Sequence, residues 1–177
     1  MVWINSEYVE EFAVLTTWLS VLLPWSVVRA TSEQGAELVV LRFPFFGIQY
    51  VFGTGLVDGT TIRTPWEYYT LNAGQFPAQA TAYLVWTVAA VVLVAAVVVS
   101  LLMYFEHDLA EKLPGRGVYV LGGAMLVLGV AFTAAAIQLH MNQPADILGW
   151  SVFVPIGLLG VVFFYAFGVL DLFADRA

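Results

Sequence analysis

The hydrophobic pattern divides the chain into four long apolar runs and one mixed segment. Residues 12–28, 80–104, 118–139 and 152–170 carry no charged side chain. A helix rises about 1.5 Å per residue, so even the shortest run would extend about 26 Å and approach the hydrocarbon thickness of a bilayer. The pattern predicts four transmembrane helices. Pro24 would end the first, and Trp25 would sit at headgroup level. Glu7, Glu10 and Glu11 precede that run where a signal peptide would carry bases, so it reads as a retained helix.

Residues 31–79 follow another rule. The stretch ELVVLRFPFFGIQYVFG is dense in β-branched and aromatic residues, and Phe46, Ile48, Tyr50 and Phe52 alternate like one face of a strand. Strands are expected at about 37–43, 45–52, 54–57 and 60–63, with Val57-Asp58-Gly59-Thr60 as a hairpin turn. If Phe43 lies opposite Ile48, Arg42 pairs with Gln49. Thr64-Pro65-Trp66-Glu67 has the spacing of a capping box, which predicts a short interfacial helix over residues 65–73. The expected fold is an all-α membrane protein: one domain, residues 1–177, built as a four-transmembrane-helix bundle with a β-hairpin-containing insert between its first two helices.

Composition supports a bilayer as the main solvent. The chain is 61% hydrophobic and 11% charged, against roughly 25% charged in soluble domains. It has no cysteine, which removes disulfides and thiolate chemistry. The net charge of −7 removes a basic footprint for nucleic acid. Acid excess with a single lysine, Lys112, suits a high-salt, halophilic setting. An even number of spans puts both termini on one side. Lys112 and Arg116 in the loop 105–117 then favour cytoplasmic termini and an extracellular insert in a multi-pass cell-membrane protein.

Chemistry-bearing residues are sparse. No nucleophile elbow, phosphate loop or metalloprotease motif is present, so no catalytic residue, cofactor or enzymatic activity is expected. His107 and His140 fall at opposite ends of the helical frame and do not form a haem pair. The acids Glu7, Glu10, Glu11, Glu106, Asp108, Glu111, Asp171 and Asp175 gather on the terminus side as a solvated face. Among them Glu10, Glu11, Glu106 and Asp108 are the candidate metal ligands, through oxygen donors. No ionisable residue is expected at mid-bilayer, which argues against a coupled transporter. Gly122, Gly129 and Ala136 on the third span, and Gly157, Gly160 and Gly168 on the fourth, suit close helix packing within the bundle or between copies.

The opening WINSEYVEEFAVLTTWLSVLLPW together with VLRFPFFGIQYVFG resembles small uncharacterised four-span membrane proteins of haloarchaea. That resemblance implies an archaeal cell membrane and carries no ligand, activity or site residue. The leading expectation is a non-enzymatic scaffold or accessory subunit. Its insert would meet a protein partner through Arg42, Phe45, Phe46, Gln49, Tyr50 and Trp66. The alternative is a small-molecule binder, channel or transporter-like protein, with a polar path lined by Thr87, Thr133 and Gln138.

Overall fold

The computed structural model describes residues 9–32, 35–53, 59–105, 116–142, 150–155 and 159–174. The elements run α1 (Val9–Leu22), β1 (Ser26–Ser32), β2 (Glu37–Arg42), β3 (Gly47–Phe52), β4 (Gly59–Arg63), α2 (Pro65–Asn72), α3 (Pro77–Phe105), α4 (Arg116–Met141), β5 (Trp150–Pro155) and α5 (Leu159–Ala174). The strands form one five-stranded antiparallel sheet in the order β4-β3-β2-β1-β5.

This corrects the all-α, four-transmembrane-helix fold class. Among the described residues two helices, Pro77–Phe105 and Gly117–Met141, are long and apolar enough to cross a membrane. The other two apolar runs give residues to the sheet. Pro24 ends the first helix early, and β1 begins at Ser26. Trp150–Pro155 pairs with β1, so the last run keeps its helix only from Leu159 on, in the 16-residue α5. A short run of Val, Trp, Phe and Thr beside a proline fits strand and helix alike by periodicity, and here strand pairing decides.

Helices α3 and α4 form the frame. At 29 and 26 residues they extend about 43 and 39 Å. Pro77 suits the first helical position, where its missing N–H costs nothing. Gln79 Nε2 donates to the Asn142 carbonyl at 2.7 Å, pinning the start of α3 to the residue after α4. The α4–α5 contact is close because glycines face it. A Cβ at Gly168 would lie 2.7 Å from Leu126, and one at Gly122 would lie 3.0 Å from Asp171 Cβ. Gly129 meets the Tyr165 ring in the same way.

Rings from several elements fill the bundle next to the sheet. Trp25, Trp86, Phe132 and Phe164 are all 0% exposed. Trp25 stacks on Phe132 at 5.0 Å and meets Trp86 edge-on at 5.4 Å, while Phe132 meets Phe164 at 5.0 Å. Trp25 is therefore a core residue, not a headgroup anchor. Its backbone N–H donates to the Arg42 carbonyl at 2.8 Å, which starts β1 alongside β2.

Two indole N–H groups hold the β2–β3 loop onto this core. Trp86 Nε1 donates to the Pro44 carbonyl at 2.8 Å, and Trp25 Nε1 donates to the Phe43 carbonyl at 3.3 Å. The loop closes with Phe43 N–H donating to the Phe46 carbonyl at 2.8 Å. This four-residue connection sets the hairpin register: Leu41 lies opposite Ile48 and Arg42 opposite Gly47. The expected Arg42–Gln49 pair is therefore shifted. Gln49 faces Val40 on the same side of the sheet, one side-chain position along.

Candidate functional site

One row of the sheet carries the most unusual chemistry. Ser26, Arg42, Gly47 and Arg63 lie opposite one another across β1, β2, β3 and β4. Residues in register share a face, so two arginines flank a position that has no side chain. Tyr68 fills the gap from α2. A Cβ at Gly47 would stand 2.9 Å from Tyr68 Cε2, 3.1 Å from its hydroxyl and 3.2 Å from Trp86 Cη2. Glycine is required here by that close approach.

Helix α2 aims Tyr68 into the gap. Thr64 caps it, with Thr64 Oγ1 accepting from the Glu67 N–H at 3.3 Å and Glu67 Oε2 accepting from the Thr64 N–H at 2.6 Å. The Thr64 N–H and, at 3.0 Å, the Thr64 hydroxyl both donate to Glu67 Oε2 and hold the carboxyl below its usual range, with the nearby Arg63 charge adding to the effect. The Tyr68 ring stacks on Tyr83 at 5.2 Å and leans on Trp86 at 5.6 Å. The guanidinium carbon of Arg63 lies 6.0 Å from the Tyr68 ring centroid.

The electrostatics of the row are unbalanced. Arg42 is 7% exposed and Tyr68 is 6% exposed. Arg42 donates through Nη1 to Ser26 Oγ at 3.3 Å, a neutral partner. Its Nε and the Tyr68 hydroxyl are buried with no hydrogen-bond partner. Two acids near Arg42 in the sequence act elsewhere: Glu37 pairs with Arg29 at 2.6 Å, and Glu67 caps α2. Burial pushes the Tyr68 phenol above its ordinary range; Arg42 opposes the shift, Tyr83 adds to it and Arg63 opposes it.

The six expected interaction residues do not form one surface. Arg42 is interior, and Gln49 lies on its face of the sheet. Phe45 packs against the core cluster. Phe46 is 36% exposed and stacks on Phe43 at 4.8 Å. Tyr50 lies on the opposite face, with its ring parallel to that of Phe52. Trp66 is exposed on α2, beside Tyr69.

A second polar layer lies deeper among the helices. Thr16, Thr17, Ser20, Ser100 and Asp171 are each at most 1% exposed. Thr16 Oγ1 is 3.3 Å from the nearer Asp171 oxygen and 3.0 Å from the Ala13 carbonyl. Trp18 Nε1 donates to Ser100 Oγ at 3.0 Å. Asp171 was expected on the solvated acidic face; the α4–α5 contact encloses it instead. Its place near a helix end hid this, because end position alone does not separate an exposed acid from an enclosed one.

The other expectations fall in several places. Glu10 and Glu11 are exposed and line a cleft of about 330 Å3 with Val14, Met103 and Tyr104. Glu106 and Asp108, like His107, lie outside the described residues. His140 is exposed. Thr87 Oγ1 donates to the Tyr83 carbonyl, and Thr133 Oγ1 lies 2.8 Å from the Gly129 carbonyl and 3.1 Å from the Tyr165 hydroxyl. The groove of about 240 Å3 between α3 and α4 is lined by apolar side chains such as Leu84, Val88, Val127 and Ala131.

Comparison with curated proteins finds no match. The family model described as "Family of unknown function (DUF7549)" matches residues 2–176, and the chain belongs to that family.

Proposed function

We propose that this is an integral membrane protein in which the α3–α4 pair sits in the bilayer and the sheet lies at one membrane surface, serving as a non-enzymatic scaffold or accessory subunit. The observation that carries this reading is the exposure of α3. Its most apolar stretch has a mean hydropathy of 2.8, yet only 28% of it is buried. A core helix of a soluble protein would be mostly covered. Val88, Val91, Val94 and Val98 of α3 are instead 49–65% exposed, and Val127 and Val130 of α4 are 56% and 60% exposed. Lipid is the solvent that suits such a surface.

The scaffold reading rests on the ordered sheet and the aromatic filling beneath it. Phe52 and Ile62 are 49% and 64% exposed on the face of the sheet that carries the Arg29–Glu37 pair, and offer a mixed contact surface to a protein partner. The ring cluster around Trp25 and Trp86 argues for a scaffold rather than a conduit. Lys112 and Arg116 favour cytoplasmic placement of the end away from the sheet, and the acidic composition fits a halophilic cell.

The test has two parts. Membrane fractions extracted with alkaline carbonate should retain the protein in the pellet; release into the supernatant contradicts membrane integration. Crosslinking followed by native mass measurement in mild detergent should return a complex. A solitary monomer contradicts the scaffold role.

A further inference from the structure

We propose that the row Ser26–Arg42–Gly47–Arg63, closed by Tyr68, is a binding site for a phosphate-type oxyanion. A guanidinium taken out of water without a counter-ion is strongly disfavoured, because no partner replaces its lost hydration. Such a charge is normally paired, and among the described residues no carboxylate pairs with Arg42. Its Nε–H and the Tyr68 O–H are two further donors left without acceptors. Glycine between the arginines admits the edge of the Tyr68 ring, so that its hydroxyl stands at that position in place of a side chain. The row thus assembles two cationic forks, a phenol and a serine hydroxyl.

The chemistry selects the ligand class. Guanidinium groups match the paired oxygens of phosphate better than they match chloride, because two N–H groups of one fork can meet two oxygens. Both hydroxyls add donors to the same oxygens. A cation is excluded by two positive side chains, and an apolar ligand would leave every one of these donors unpaired. Tyr68 also touches Trp86, near the start of α3, so the site lies where the long apolar helix meets the sheet. The phosphate could therefore belong to a lipid headgroup or to a free anion, and the experiment separates the two.

The test uses the full chain in neutral detergent. Thermal unfolding is followed while inorganic phosphate is titrated against sodium chloride at matched ionic strength. In a second arm, phosphatidylglycerol is titrated into the micelles against diacylglycerol. A saturable rise in Tm with inorganic phosphate identifies a free-anion site; a rise with phosphatidylglycerol alone identifies a headgroup site. Either supports the proposal. Arg63 is only partly buried, so Arg63→Gln should fold and bind at least about tenfold more weakly, the equivalent of one charge-assisted hydrogen bond. Tyr68→Phe should melt no lower than the parent without ligand, because it removes an unpartnered hydroxyl, and should respond less to the ligand. The proposal is overturned if neither titrant raises Tm beyond its control. It is equally overturned if both variants respond as the parent does.

Discussion

Adding one methyl group at Gly47 tests how tightly the sheet is keyed to the helices. The new Cβ would stand 2.9 Å from Tyr68 Cε2 and 3.2 Å from Trp86 Cη2, where ordinary contacts lie at 3.4–4 Å. Neither ring is free to retreat. Tyr68 is held by Tyr83 at 5.2 Å, and the Trp86 indole is tied to the Pro44 carbonyl at 2.8 Å. Overpacking of this kind costs about 1–3 kcal/mol. Replacing glycine by alanine also restricts the unfolded chain, which returns about 0.4–1 kcal/mol. Gly74 is the control, because its Cβ would meet nothing within 4 Å. Gly74→Ala keeps the gain without the clash, so the two variants should differ by about 1–3 kcal/mol. For a chain of this length that is a Tm gap of about 2–12 °C. Thermal unfolding in one detergent, followed by near-UV circular dichroism, measures it. The penalty should shrink when Gly47→Ala is combined with Tyr68→Ala, because the clashing partner is gone. If Gly47→Ala melts with or above Gly74→Ala, the keyed contact is wrong.

Three further outcomes follow from the same geometry. Thr64→Ala should destabilise the protein by about 1 kcal/mol through loss of the α2 cap, read as a lower Tm. Glu67 has a lowered pKa, so its contribution is fully present above its unfolded value and lost as pH falls through the lower folded value. Glu67→Gln should remove that part of the acid dependence in a Tm-against-pH series. Trp86→Phe should leave the buried Pro44 carbonyl without its donor and cost about 1–3 kcal/mol, seen as a lower midpoint in the same melt.

The sequence announces some of this architecture through local chemistry. The Thr64–Glu67 spacing predicts the cap that forms, because both hydrogen bonds are made within four residues. Alternation from Ile48 to Phe52 marks a strand for the same reason: period two is a local property. Other features depend on distant partners. The strands at Ser26–Ser32 and Trp150–Pro155 overlap apolar runs that read as helix, since β5 forms by pairing with the distant β1, and β1 by lying between β2 and β5. The shift of Arg42 from Gln49 to Gly47 follows from the four-residue loop 43–46, which Trp25 and Trp86 anchor from outside the hairpin. Asp171 looks like an end-of-helix acid until the glycines of α4 and α5 bring the helices together around it. Arg42 was legible as a candidate, but its isolation follows only from seeing Glu37 and Glu67 engaged elsewhere.

Labelling of single cysteines in native membranes tests the central placement most directly, because the chain has no cysteine to give background. Val91 is 65% exposed at the middle of α3, and Thr60 is exposed on β4. With both faces of the membrane accessible, a water-soluble maleimide should modify Thr60→Cys rapidly. Val91→Cys should stay unmodified until the membrane is dissolved and the protein denatured. Equal, rapid modification of Val91→Cys in intact membranes would contradict a bilayer around the α3–α4 pair.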